Sequence, residues 1–86
     1  MRPAKLLGRI AAGNHANIRF ADLTRLVEAC GFELARVSGS HHIFAHPKIP
    51  SLLNLQEVAG MAKPYQVRQV HRLLERYDLY PEGEDT

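Results

Sequence analysis

A chain of 86 residues, 45% of them hydrophobic and 23% charged, with a formal charge of +2, has the composition of one small folded domain and excludes a disordered tail. The start MRPAKLLGRIAAG is too weakly apolar for a signal peptide or a spanning helix, so a cytoplasmic protein without membrane contact is expected. The single cysteine, Cys30, excludes an internal disulfide, and its apolar neighbours mark it as a core filler, not a reactive thiol.

In chain order, AKLLGRIAA spaces Leu6, Leu7 and Ile10 as a short helix that ends at Gly13-Asn14. FADLTRLVEACG sets Leu23, Leu26, Val27 and Cys30 on one stripe, with Gly31 as the left-handed residue after a second helix. FELARVSG and HHIFAHP are rich in strand formers and meet at Gly39-Ser40, a hairpin turn. Pro47 and Pro50 bracket another turn, after which SLLNLQEV reads as a third strand. GMAKPYQVRQVHRLLERYDL opens a last helix with Pro64 near its first position and Val67, Val70, Leu74 and Tyr77 facing the core. The order α-α-β-β-β-α predicts an α+β sandwich: a three-stranded antiparallel sheet with the helices on one face and the other face open.

Strand alternation then sorts the histidines. If bulky Phe44 faces the helices, His42 and His46 share its side, while His41, Ile43 and Ala45 lie on the open face. Cations gather at Arg2, Lys5, Arg9 and Arg19 and again at Lys63, Arg68, Arg72 and Arg76, whereas Asp78, Glu82, Glu84 and Asp85 reverse the sign at the end. Without that acidic tail the surface is cationic, as one that meets phosphate must be, although solvated helix faces would look the same.

The segment GFELARVSGSHHIFAHP, a following strand, and KPYQVRQVHRLLERYDL together resemble the HicA family of toxins from bacterial type II toxin–antitoxin pairs. The resemblance covers residues 18–80. Residues 1–17 form an N-terminal helical extension that belongs either to the core or to a partner interface, and 81–86 an acidic tail, all within a single domain. The resemblance implies a fold similar to a double-stranded RNA-binding domain, ribonuclease action on messenger RNA, and neutralisation by a HicB-type antitoxin. It also implies that the histidine directly after Gly-Ser, here His41, is catalytic. The chain departs from the family pattern in its extension and in lacking the Gly-Thr that commonly follows Lys-Pro, which points to a divergent subgroup.

The residues suit metal-independent RNA cleavage, which needs a base for the 2′-hydroxyl proton, an acid for the leaving 5′-oxygen and positive charge beside the phosphate. Histidine, with an ordinary pKa of about 6.5, can serve as either at neutral pH. Ser40 and the backbone at Gly39 can donate to a phosphate oxygen, and Lys48, Lys63, Arg68 and Arg72 are the candidate phosphate-contacting cations. No metal or small-molecule cofactor is expected, because His41, His42 and His46 lack a fourth ligand and strand neighbours point apart. Two other readings stay open: a noncatalytic double-stranded RNA-binding module of the same fold, and a protein-interaction domain that docks a partner on its sheet.

Overall fold

The computed structural model describes residues 1–82, and the part of the acidic tail from residue 83 onward lies outside the described residues. Three helices, α1 (Pro3–Ala11), α2 (Phe20–Ala29) and α3 (Pro64–Arg76), frame the antiparallel sheet β2-β3-β4, formed by Glu33–Ser38, His41–His46 and Ile49–Gln56. The expected α+β class and three-stranded antiparallel sheet are present. The structure adds β1 (Ile18–Arg19) and β5 (Met61–Ala62), which pair antiparallel and tie the chain entering α2 to the chain entering α3.

One core joins the sheet to all three helices. Phe44, Ile49, Leu53 and Leu55 project from β3 and β4 among Leu23, Leu26 and Val27 of α2 and Val67, Val70 and Leu74 of α3. Leu6 and Ile10 of α1 are each only 1% exposed within the same cluster, and α1 packs on both α2 and α3. The extension ahead of the HicA-like segment therefore contributes core. In so small a domain, where the apolar interior is thin, two fully buried aliphatic side chains are a substantial share of it.

The strands depart from simple alternation at two places. In β2, Leu34 and Val37 are three residues apart, so strict alternation would put them on opposite faces. A register shift between Leu34 and Arg36 lets Leu34 pair with Phe44 and Val37 with His42 on the helix side. In β4, Pro50 lies inside the strand that was expected to start at Ser51. It falls in the irregularity between the His46–Ile49 and Phe44–Leu53 pairs, where a missing N–H breaks no ladder bond.

Among the described residues two polar side chains are buried, His46 at 8% and Gln66 at 5% exposure. The His46 Nδ1 accepts from the Lys48 N–H at 3.0 Å, so its proton sits on Nε2, which donates to the Cys30 carbonyl at 3.2 Å. This bond latches the end of α2 to the β3–β4 turn. It also explains Gly31: the backbone there is left-handed at φ +100°, and a Cβ would stand 2.9 Å from the His46 Nε2. Gln66 of α3 closes the outer edge of β4. Its Oε1 accepts from the Gln56 N–H at 2.9 Å and its Nε2 donates to the Asn54 carbonyl at 3.2 Å, the two bonds a further strand would have made.

Replacement of Ile10 by Ala is expected to lower unfolding free energy by about 2–5 kcal/mol, as for a core residue of α2, because it leaves a cavity between three helices. Urea denaturation of Ile10→Ala beside Leu23→Ala measures this. A loss below about 0.5 kcal/mol, the range of surface substitutions, would show that α1 is an appendage.

Candidate active site on the open sheet face

The pleat of β3 sets each histidine in its place. Phe44 is 1% exposed in the core, which carries His46 and His42 to the helix side. His42 is half-buried there, its ring edge-on to Phe20 with centroids 4.8 Å apart and its Nδ1 3.4 Å from the Ser40 carbonyl. His41 is exposed on the opposite, open face. Ile43, on that same side by parity, is 8% exposed though outside the core cluster. It stands between its cross-strand partners Arg36 and Asn54.

Cross-strand pairing gives His41 its neighbours. Ser38 of β2 and Gln56 of β4 are directly opposite it. Arg36 and Asn54 are the diagonal residues, with backbones about 7–8 Å away, a span that a long side chain crosses. Asn54 makes the contact: its Oδ1 lies 3.1 Å from the His41 Nδ1. The hairpin turn closes the site at one end. Gly39 takes φ +59° with open space beyond its Cα, the first position of a tight turn. The Ser40 carbonyl accepts from the Glu57 N–H at 2.9 Å, and its Oγ accepts from the Gln56 Nε2 at 3.3 Å. The Ser40 hydroxyl is thereby held in position while its own hydrogen remains available to donate.

The predicted cations are distributed differently. Lys48 is exposed on the β3–β4 turn, at the other end of the strand from His41. Five residue steps separate the two ends, about 17 Å. Lys63 is exposed and precedes Pro64 at the start of the turn that carries Gln66, one strand beyond His41. Arg68 and Arg72 follow Gln66 by two and six residues. At 100° per residue they lie roughly 200° and 240° around α3, turned away from the strand that Gln66 grips. They form an exposed basic flank on the outer side of α3, and His71 on the same helix pairs with Glu75 at 3.6 Å. The structure thus gathers Gly39, Ser40 and His41, with Lys63 close by in the chain of contacts, and leaves Lys48, Arg68 and Arg72 apart from them.

Sequence reasoning missed Arg36, Asn54 and Gln56 on this face. The signal for the last two was present, since they alternate with the buried Leu53 and Leu55. For Arg36 it was hidden by the register shift in β2. His41 and His46 lie on opposite faces, so these histidines do not converge, and among the described residues no group of three His, Cys, Asp or Glu is placed to hold a metal ion. No described helix is long and apolar enough to cross a membrane.

Fold and face together define a small α+β protein that presents one histidine, held by an asparagine, on an uncovered antiparallel sheet. The model of the HicA toxin family of bacterial toxin–antitoxin systems matches residues 20–79, and the chain belongs to that family. It is therefore a toxin-family member with an antitoxin as its implied partner. No curated protein matches the chain, and no solved structure does. The match begins at the first residue of α2, so α1 and β1 lie ahead of it while sharing its core.

Cys30 is buried away from this face. Burial, with a smaller contribution from the Glu82 carboxylate, pushes its thiol from an ordinary value of 9.0 up to about 11. A raised folded-state value stabilises the protein fully below pH 9, and that stabilisation is lost as pH climbs from about 9 to 11, because the unfolded thiol ionises first. Stability measured by denaturation across that window should fall less in Cys30→Ala than in wild type. Tyr80, whose phenol is held up chiefly by a hydrogen bond to Asp78, titrates in both chains and cancels. Equal alkaline losses in the two proteins would show that Cys30 is not held protonated by burial.

Proposed function

We propose that the chain is an endoribonuclease toxin that cleaves messenger RNA without metal at the open sheet face, and that a HicB-type antitoxin silences it by covering that face. The observation that carries this reading is the exposed His41 imidazole, with the Ser40 hydroxyl beside it and Arg36 at the diagonal position. In the proposed step, His41 takes the proton of the RNA 2′-hydroxyl. The 2′-oxygen forms a bond to phosphorus, the bond from phosphorus to the 5′-oxygen breaks, and the leaving oxygen receives a proton from the imidazolium. The products are a 2′,3′-cyclic phosphate and a 5′-hydroxyl.

Each neighbour has a task in this scheme. Arg36 supplies positive charge to the phosphate as it becomes pentacoordinate, and the forked guanidinium suits two of its oxygens. Ser40 donates to a non-bridging oxygen. Lys63 and the outer flank of α3, with Arg68 and Arg72, attract the RNA backbone at longer range without touching the reacting atoms. An open face leaves the site within reach of a folded partner, so masking needs only steric cover and an acidic surface to meet these cations.

Cleavage of a defined messenger RNA by the purified chain should fall by about 10²-fold or more in His41→Ala. In Arg36→Ala it should fall by about tenfold, the worth of one charge-assisted hydrogen bond of ~1.5 kcal/mol. His42→Ala should retain cleavage at a small cost in stability. Replacement of Arg68 and Arg72 together by Ala should leave the turnover rate unchanged and flatten the salt dependence of RNA affinity, by about 1.4 in the log–log slope for two contacts to a single strand. Full cleavage by His41→Ala sinks the enzymatic assignment. Tight, salt-sensitive binding of duplex RNA with no cleavage by wild type would instead identify a noncatalytic binding module of this fold.

A further inference from the structure

Resting on the proposal that His41 moves the proton, we infer that Asn54 is a positioning residue. It holds His41 in the Nδ1–H tautomer, so that Nε2 faces RNA unprotonated and the residue enters the reaction as a base.

The inference starts from the bond between the His41 Nδ1 and the Asn54 Oδ1 at 3.1 Å. An amide oxygen can only accept, so the hydrogen of that bond belongs to Nδ1. In a neutral imidazole the other nitrogen then carries the lone pair. Among the described residues Nε2 has no partner, and the ring is exposed.

Asn54 is well placed to fix a ring. Its neighbours in sequence, Leu53 and Leu55, are 2% and 0% exposed, and its carbonyl is held by the Gln66 Nε2 at 3.2 Å. The backbone beneath the carboxamide is therefore pinned from the core side and from the edge of the sheet, and only two side-chain torsions remain free. His41 is carried on a strand whose next inward residues are His42 against Phe20 and Phe44 in the core.

The surrounding charges favour an amide as the orienting group. The groups facing His41 from the flanking strands are Ser38 and Arg36 on β2 and Gln56 and Asn54 on β4. Glu33, an acid on this face, pairs with Ala45 four residues along β3, about 13 Å away. Glu57 points to the other side, where it lines a groove with Phe20 and His42. A carboxylate in place of Asn54 would also orient the ring but would favour the imidazolium, which cannot accept a proton. The amide sets the tautomer without adding charge.

The test uses the full-length chain labelled with 15N. Two-bond proton–nitrogen correlation spectra report which nitrogen of His41 is protonated, and cleavage of a defined messenger RNA transcript gives kcat, KM and the pH profile. Wild type should show the Nδ1–H form. Asn54→Ala should lose that form and lower kcat by about ten- to a hundredfold, the range seen when the partner that orients a metal-bound histidine is removed, with KM within about twofold. Asn54→Asp should restore the Nδ1–H form and most of the maximal rate, with the acidic limb of the pH profile moved to higher pH. A wild-type chain that cleaves RNA with His41 in the Nε2–H form overturns the role of Asn54 and leaves the function standing. So does an Asn54→Ala protein that keeps full kcat. A chain that shows the Nδ1–H form but cleaves no RNA overturns the functional reading instead, and with it the catalytic purpose of a bond that is nonetheless present.

Discussion

The parity of strand β3 is the constraint on which the candidate site depends. Side chains along a strand alternate between two faces, so fixing one residue fixes all six. Phe44 is sealed beneath the helices and His46 is bonded at both ring nitrogens, to the Cys30 carbonyl and the Lys48 N–H. These two anchors, two residues apart, make a one-residue slip prohibitive. It would bring Phe44 into water and place the His46 ring where neither partner can reach. His41 is outward because Phe44 and His46 are inward, and its place at the hairpin end of the strand leaves it exposed where Ile43, on the same face, is covered.

The same economy governs the sheet edges. Small domains have few apolar contacts to spare, and each buried polar atom that lacks a partner costs about 1–3 kcal/mol. The buried polar side chains His46 and Gln66 have partners at both ends and sit where regular structure would otherwise stop. His46 joins the end of α2 to a turn, and Gln66 substitutes for a missing strand beside β4. The Gln66 bond to the Asn54 carbonyl links α3 to the strand whose side chains flank His41. The framework of the site is thus a short relay of named contacts from helix to strand to imidazole.

Much of this was legible in the sequence, for reasons particular residues make plain. The bulk of Phe44 was enough to orient β3 and, at period two, to carry His42 and His46 to its side, and the stripes of α2 and α3 gave their buried faces. The motif Gly-Ser-His-His placed the hairpin turn, since a left-handed residue is needed there and Gly39 supplies it. What the sequence concealed depends on distant partners. Arg36 reaches the His41 face only through the register shift in β2, which no pattern in the strand announces. The spacing of Arg68 and Arg72 placed them along one flank of the last helix but could not say where that flank faces. Which way that flank turns is decided by Gln66, whose contact with β4 lies across ten or more residues of chain. The strands β1 and β5 are two residues each, too short to leave a pattern.

The open face also bears on how strong an enzyme such a site can be. A cleft excludes water and strengthens every charge inside it, whereas an exposed sheet leaves Arg36 and the phosphate in a high dielectric, where each contact is worth little. One histidine acting by general acid–base catalysis contributes about 10² to 10⁴ in rate. In the proposed reaction the remaining acceleration would come from how the RNA is held, and the three-stranded platform offers a surface for that purpose. His41, Asn54 and Gln56 are borne on strands pinned by Leu53, Leu55 and Phe44, while Ser40 is tied into the turn by Glu57 and Gln56. Rigidity of this kind places the reacting groups accurately without enclosing them. A site of the proposed kind trades rate for access, and that access is what would let an antitoxin cover it.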